Sequence, residues 1–139
     1  MYDDLVEEFN NEYDLRDGIC YSFAEKFKSI CESKGITKQV FAEKVGMDET
    51  TFRNYMKGKK DPSLKGLTAF CLAFEIDSLT FQNLLWSGGY SINLKKKRDC
   101  AYHFIITNCM NFSVKQCNDF LKQLGISEAD LLPIPLNEQ

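Results

Sequence analysis

Four side chains that can donate or accept hydrogen bonds lie close together in the stretch ETTFRNYMKG, which begins at residue 49. Phe52 and Tyr55 in this stretch are spaced to share the buried face of a helix. Such a helix would leave the four polar side chains on its outward side: Glu49, Thr50, Arg53 and Asn54. These residue types bind a polar surface through hydrogen bonds and charge, so the stretch predicts a binding face.

The same sequence offers few residues for a catalytic site or a metal site. His103 is the single histidine, and no nucleophile, paired acid or phosphate loop accompanies it, so we expect a partly buried structural histidine and no enzyme. The six cysteines form no CxxC motif, which argues against a zinc site. We expect no metal and no cofactor, and we interpret the cysteines as small packed hydrophobes.

Two short helices must position the polar face, in the segment GITKQVFAEKVGMDETTFRNYMKGKKDPSL at residues 35–64. Thr37 is a good N-cap for the first helix and Asp48 for the second. Gly46 ends the first helix and lets the chain reverse through positive φ. Two helices joined by about three residues, including a glycine, are typical of helix-turn-helix geometry.

Helix periodicity dominates the rest of the chain, which predicts an all-α fold. We expect an acidic N-terminal helix with Leu5, Phe9 and Tyr13 on one face, then a helix over residues 17–33, and two later helices capped by Ser63 and Ser78. After the break SGGYSIN at 87–93, helices are expected over 97–108, with Phe104 and Ile105 inside, and after Ser113. The predicted parts are therefore 1–16, 17–89 and 90–139.

Charge is distributed unevenly along the 139 residues. Residues 1–19 contain seven acids and one base, whereas residues 34–66 contain eight bases and four acids. A basic middle suits a polyanionic partner despite the net charge of −3. The acidic start does not look like a secretory signal, and no apolar run is long enough to cross a membrane, so we expect a cytoplasmic protein.

The spacing of G-I-T, F-A, V-G-M-D, T-F, Y and G-x-x-x-P-S across residues 35–63 closely resembles the lambda-repressor-like, Xre-type helix-turn-helix family. The resemblance covers about residues 22–87 and implies a five-helix domain, flanked here by the acidic helix and by two or three C-terminal helices. It also implies sequence-specific binding of double-stranded DNA and regulation of transcription.

By this resemblance the helix at 48–57 would enter a major groove. Base contacts would come from five side chains: Lys38, Glu49, Thr50, Arg53 and Asn54. Phosphate contacts would come from a second set: Thr37, Thr51, Lys57, Lys59 and Lys60.

Two features allow more than one interpretation. Glu49 departs from the family and could accept a hydrogen bond from cytosine, or simply complement the helix dipole in the first turn. The run from Lys95 to Arg98 could be a second phosphate patch or the polar start of a helix.

A single helix-turn-helix unit reads only a few base pairs, so we expect a homodimer. Apolar residues in 90–135 would form most of its interface, or would pack back onto the first and fifth helices of the helix-turn-helix domain. The competing function is a protein-interaction or antitoxin-like adaptor, with a partner bound through residues 1–16 or 90–139.

Overall fold

The computed structural model describes residues 1–18, 22–59 and 62–139. Those residues form α-helices, two short 3-10 turns and no strand, so the predicted all-α class is confirmed. The helices are α1 (Asp3–Gly18), α2 (Phe23–Lys34), α3 (Lys38–Val45), α4 (Glu49–Lys57), α5 (Leu64–Ala73), α6 (Ser78–Ser87), α7 (Lys97–Asn108) and α8 (Val114–Gln123). The 3-10 turns span Glu128–Asp130 and Leu136–Glu138.

Side-chain caps define most helix starts. The predicted caps at Thr37, Asp48, Ser63 and Ser113 are confirmed, since each accepts a hydrogen bond from the backbone N–H three residues on. This satisfies an amide that has no partner within the helix.

Two predicted helix starts are wrong. The helix expected from residue 17 begins at Phe23, because Ser22 caps it and α1 continues to Gly18. Asp77, and not Ser78, caps α6, with its Oδ1 2.7 Å from the Thr80 nitrogen. Adjacent Asp and Ser are both good caps, so composition alone does not select between them.

An aromatic cluster on α2 organises the first part of the core. The Phe27 ring lies 5.0 Å from Phe70 of α5 and 5.6 Å from Phe52 of α4, measured between centroids. Phe41 of α3 contacts the same ring edge-on at 6.2 Å. One fully buried side chain therefore joins four helices, and edge-to-face pairs of this kind stabilise beyond the area that they bury.

The C-terminal helices pack back onto this core. α7 contacts α5 and α6, and α8 contacts α5. Ile105 and Leu121 are fully buried within the chain. Of the expected packing partners, the fifth helix of the domain, α6, contacts α7, and α5 contacts both C-terminal helices. The dimer interface stays a prediction.

The opposite face of α7 is exposed, which corrects two expectations. Phe104 was expected inside but is 48% exposed, and its ring stacks on Phe120 at 5.6 Å. His103, expected to be partly buried, is exposed. Both residues lie outside the buried face of α7, which includes Tyr102, Ile105 and Ile106.

The last ten residues are held by polar contacts. The buried Asn118 side chain donates to the carbonyl of Leu132 at 3.0 Å and accepts from its N–H at 2.8 Å. The Glu138 carboxylate accepts from the backbone N–H groups of Val114 and Lys115 at the start of α8. The tail is therefore an integral part of the fold.

The acidic helix α1 contrasts with these elements. Residues 1–11 are all exposed, and Leu5, Val6 and Phe9 are each more than half exposed. The side chain of Tyr13, predicted on the same face, lies outside the described residues. None of the described helices is both long enough and apolar enough to cross a membrane.

Candidate nucleic-acid interface

Backbone geometry at the ends of α3 and α4 sets the path of the chain between them. Gly46 ends α3 at φ +78°, and its N–H donates to the Ala42 carbonyl at 3.1 Å. Asp48 then caps α4, accepting from the Thr51 N–H at 2.8 Å. Gly58 ends α4 at φ +66°. Both glycines occupy the left-handed region that other residues avoid, so α3 and α4 begin and end where the sequence predicts.

The inner faces of α3 and α4 hold the pair in place. The rings of Phe41 and Phe52 are 5.2 Å apart, and Tyr55 lies edge-on to Phe27 at 5.5 Å. Burial, with a smaller contribution from Tyr90, raises the pKa of Tyr55 to about 12. Its hydroxyl therefore stays neutral at physiological pH, and the buried side of α4 carries no charge.

The outer side of α4 presents the polar residues predicted to contact bases. Thr50 and Arg53 are exposed, while Glu49 and Asn54 are partly exposed. The Arg53 Nη2 lies 3.4 Å from the Thr50 hydroxyl, so these two side chains form a weak contact along one side of the helix. The structure thus brings four of the five candidates together on α4. The fifth, Lys38, is exposed on the first residue of α3.

The residues predicted to contact phosphates differ in their exposure and in the hydrogen bonds that they already make. Lys57 and Lys59 are exposed at the C-terminal end of α4. Thr37 is also exposed; its oxygen accepts from the Val40 N–H, which leaves its hydroxyl hydrogen able to donate outward. Lys60 lies outside the described residues.

Thr51, predicted to contact a phosphate, also takes part in the N-cap of α4. Its hydroxyl donates to the Asp48 Oδ1 at 2.9 Å, the same oxygen that accepts from its N–H. A phosphate contact made by donation from this hydroxyl would break the first of these bonds. The phosphate role of Thr51 therefore stays a prediction in competition with the cap.

A contact that sequence reasoning missed lies at the turn between the two helices. A Cβ on Gly46 would be 2.5 Å from the Ile134 carbonyl oxygen, so the C-terminal tail passes directly over this turn. The residues Leu136–Glu138 also contact α3. Pro133 and Pro135 mark an irregular tail in the sequence, but nothing in their spacing points to Gly46.

The described residues contain no group of three or more His, Cys, Asp or Glu side chains placed to hold a metal ion.

Comparison of the chain with family models, with curated proteins and with solved structures gives no match.

Proposed function

We propose that this protein binds double-stranded DNA sequence-specifically and regulates transcription, with α3 and α4 acting as a helix-turn-helix of the lambda-repressor-like, Xre type. The observation that carries the proposal is the two-sided character of α4. Phe52 and Tyr55 fix one side in the aromatic core, while Thr50, Arg53 and Asn54 are left on the accessible side. A short helix held rigidly, with its polar side outward, has the form that enters a major groove.

Each accessible side chain has a matching chemistry on DNA. An asparagine can form two hydrogen bonds with adenine, and an arginine can do so with guanine. The exposed cations Lys57 and Lys59 can neutralise phosphates and set the register of the helix. This assignment includes no catalytic step.

A homodimer is part of the proposal, because a single α4 helix reads only a few base pairs and paired half-sites lie about 34 Å apart. The apolar groups once expected to form its interface, including Ile105 and Leu121, are buried within the chain. Of the apolar side chains in this segment, Phe104 is exposed and remains available for an interface. A palindromic selected site would support the two-fold arrangement.

The first test selects binding sites from random duplexes and then compares variants. Asn54→Ala should weaken binding to the selected site by about 1–3 kcal/mol and relax the preference at one base position. Lys59→Ala should weaken binding to all sequences alike. It should also lower the salt slope, the slope of log affinity against log salt concentration, by about one unit. Lys115→Ala, which removes an exposed lysine from α8, serves as the control and should change neither.

Failure to select any sequence, or an unchanged preference in Asn54→Ala, would contradict the proposed docking of α4. Anisotropy titrations at several salt concentrations measure both the affinity and the slope.

The competing function is a protein-interaction adaptor, and the acidic helix α1 favours it. Residues 1–11 are exposed and carry four acids beside Leu5, Val6 and Phe9, a combination suited to an apolar groove with a basic rim. Absence of DNA binding at low salt would favour the adaptor.

A further inference from the structure

We propose that Lys95, Lys96 and Lys97 form a second phosphate-binding patch, which contacts the DNA backbone beside the site read by α4. The proposal rests on the proposed function and extends its contact surface beyond the helix-turn-helix unit. All three lysines are exposed at the start of α7. The partner is thus the same DNA duplex, at phosphates flanking the base pairs that α4 would contact.

The adjacent Arg98 is excluded from the patch because it is occupied within the fold. Its guanidinium contacts the Asp130 carboxylate at 3.3 Å and the Asp99 carboxylate at 3.4 Å. The Asp99 side chain is buried and also accepts from the Asn93 N–H. The basic run therefore divides into one structural arginine and three lysines that form no ion pair with any residue that the structure describes.

A series of contacts connects the start of α7, beside the patch, to the start of α5 and from there to the buried side of α4. The first connection runs from α7 to the segment before the tail, where Arg98 contacts Asp130 and the Tyr102 hydroxyl donates to the Asp130 carbonyl. The second runs to the start of α5, where the Lys65 Nζ donates to the Ala129 carbonyl at 2.9 Å.

The third connection reaches α4 itself. A Cβ on Gly66, in the first turn of α5, would lie 2.7 Å from the Tyr55 hydroxyl. Tyr90, in the segment that leads to the lysines, also raises the pKa of Tyr55 through its proximity. At the other end, Phe74 follows α5 and Phe112 follows α7, and both line one cleft, so α5 and α7 run in the same direction.

Local energetics give the lysines no stabilising role. The N-terminus of a helix carries partial positive charge, so cations there are unfavourable. Lys96 is the N-cap residue of α7 and makes no side-chain capping hydrogen bond. Three cations therefore lie where the helix dipole disfavours positive charge. Binding of a polyanionic ligand would offset this unfavourable interaction.

The test compares two double variants of the full chain that remove the same charge. Lys95→Gln/Lys97→Gln alters the patch and leaves the N-cap residue unchanged. Lys115→Gln/Lys122→Gln removes two exposed lysines from α8 and is the matched control. Binding to the selected site, within a long duplex, is measured between 50 and 200 mM salt.

The patch variant should lower the salt slope by about two units, since each phosphate contact contributes roughly 0.9. Wild type would then lose affinity about tenfold more than the patch variant between 50 and 200 mM salt. The base preference should not change, and stability to urea should be equal or higher. On a duplex trimmed to the bases read by α4, wild type and the patch variant should have the same affinity and the same salt slope.

A wild-type protein that binds specifically, with a patch variant indistinguishable from the control, would overturn the patch alone. A loss of affinity that persisted on the trimmed duplex would also overturn it, since the lysines would then not contact flanking phosphates. Absence of specific binding by the wild type would overturn the proposed function, and the patch with it.

Discussion

Residues 90–139 and helix α1 both flank the α2–α6 core, yet their relation to it differs. The C-terminal segment buries Tyr102, Ile105 and Leu121, and its tail covers the turn at Gly46. In α1, every side chain from residue 1 to 11 is exposed. The first segment is part of the core on which α4 is positioned, whereas the side chains of residues 1–11 lie outside that core.

The difference comes from how apolar residues are distributed. On α7 and α8 they meet the apolar side of α5, and the polar groups carried into the interior are satisfied, as Asn118 is by the backbone of Leu132. On α1 the few apolar residues lie among four acids within residues 1–11. A helix joins a core when the free energy gained by burying its apolar side chains outweighs the entropy lost on ordering them. Acids at the margin of an apolar face oppose that burial, because their charges would lose water.

The largest expected effect concerns the C-terminal helices. Leu121→Ala should reduce the free energy of unfolding by about 2–5 kcal/mol, because removing a fully buried leucine side chain would leave a cavity in the core. Urea denaturation of the full chain measures this. A loss below about 0.5 kcal/mol would mean that α8 is not part of the cooperative core.

An intermediate effect is expected where the tail meets the turn. Gly46→Ala should destabilise through its positive φ, by roughly 1–2 kcal/mol, and further through the clash with the Ile134 carbonyl. Gly35→Ala is the matched control, since Gly35 also has positive φ but nothing within 4 Å of an added Cβ.

The excess cost of Gly46→Ala over Gly35→Ala therefore measures the tail contact. We expect an excess of about 1–3 kcal/mol, because a backbone neighbour cannot rotate away. Equal costs in the two variants would show that the tail does not press on the turn in solution.

The smallest expected effect concerns α1. Leu5→Ala should change the free energy of unfolding by less than about 0.5 kcal/mol, because the side chain is 62% exposed. The measurement is the same urea titration used for Leu121→Ala. A loss of 1 kcal/mol or more would remove the contrast between the two flanking segments.

Much of the local structure follows from short-range chemistry and was predictable. The caps at Thr37 and Asp48, the glycine ends at Gly46 and Gly58, and the inward pair Phe52 and Tyr55 depend only on residues within a few positions. The exposed side of α4 follows from the same helical spacing. The misplaced cap at Ser78 shows where this reasoning fails, since Asp77 is an equally good candidate beside it.

The sequence by itself determined the all-helical class, the ends of α3 and α4 and the polar character of the outer side of α4, because hydrogen bonds and periodicity act over one or two helical turns. Only the tertiary structure decided that α7 buries Tyr102 and exposes Phe104, that Ile134 covers Gly46, and that Arg98 is paired with Asp130 whereas Lys95–97 are not. These contacts join residues from about 30 to 90 positions apart. Such pairings arise from the shape of the whole core, which local spacing does not encode.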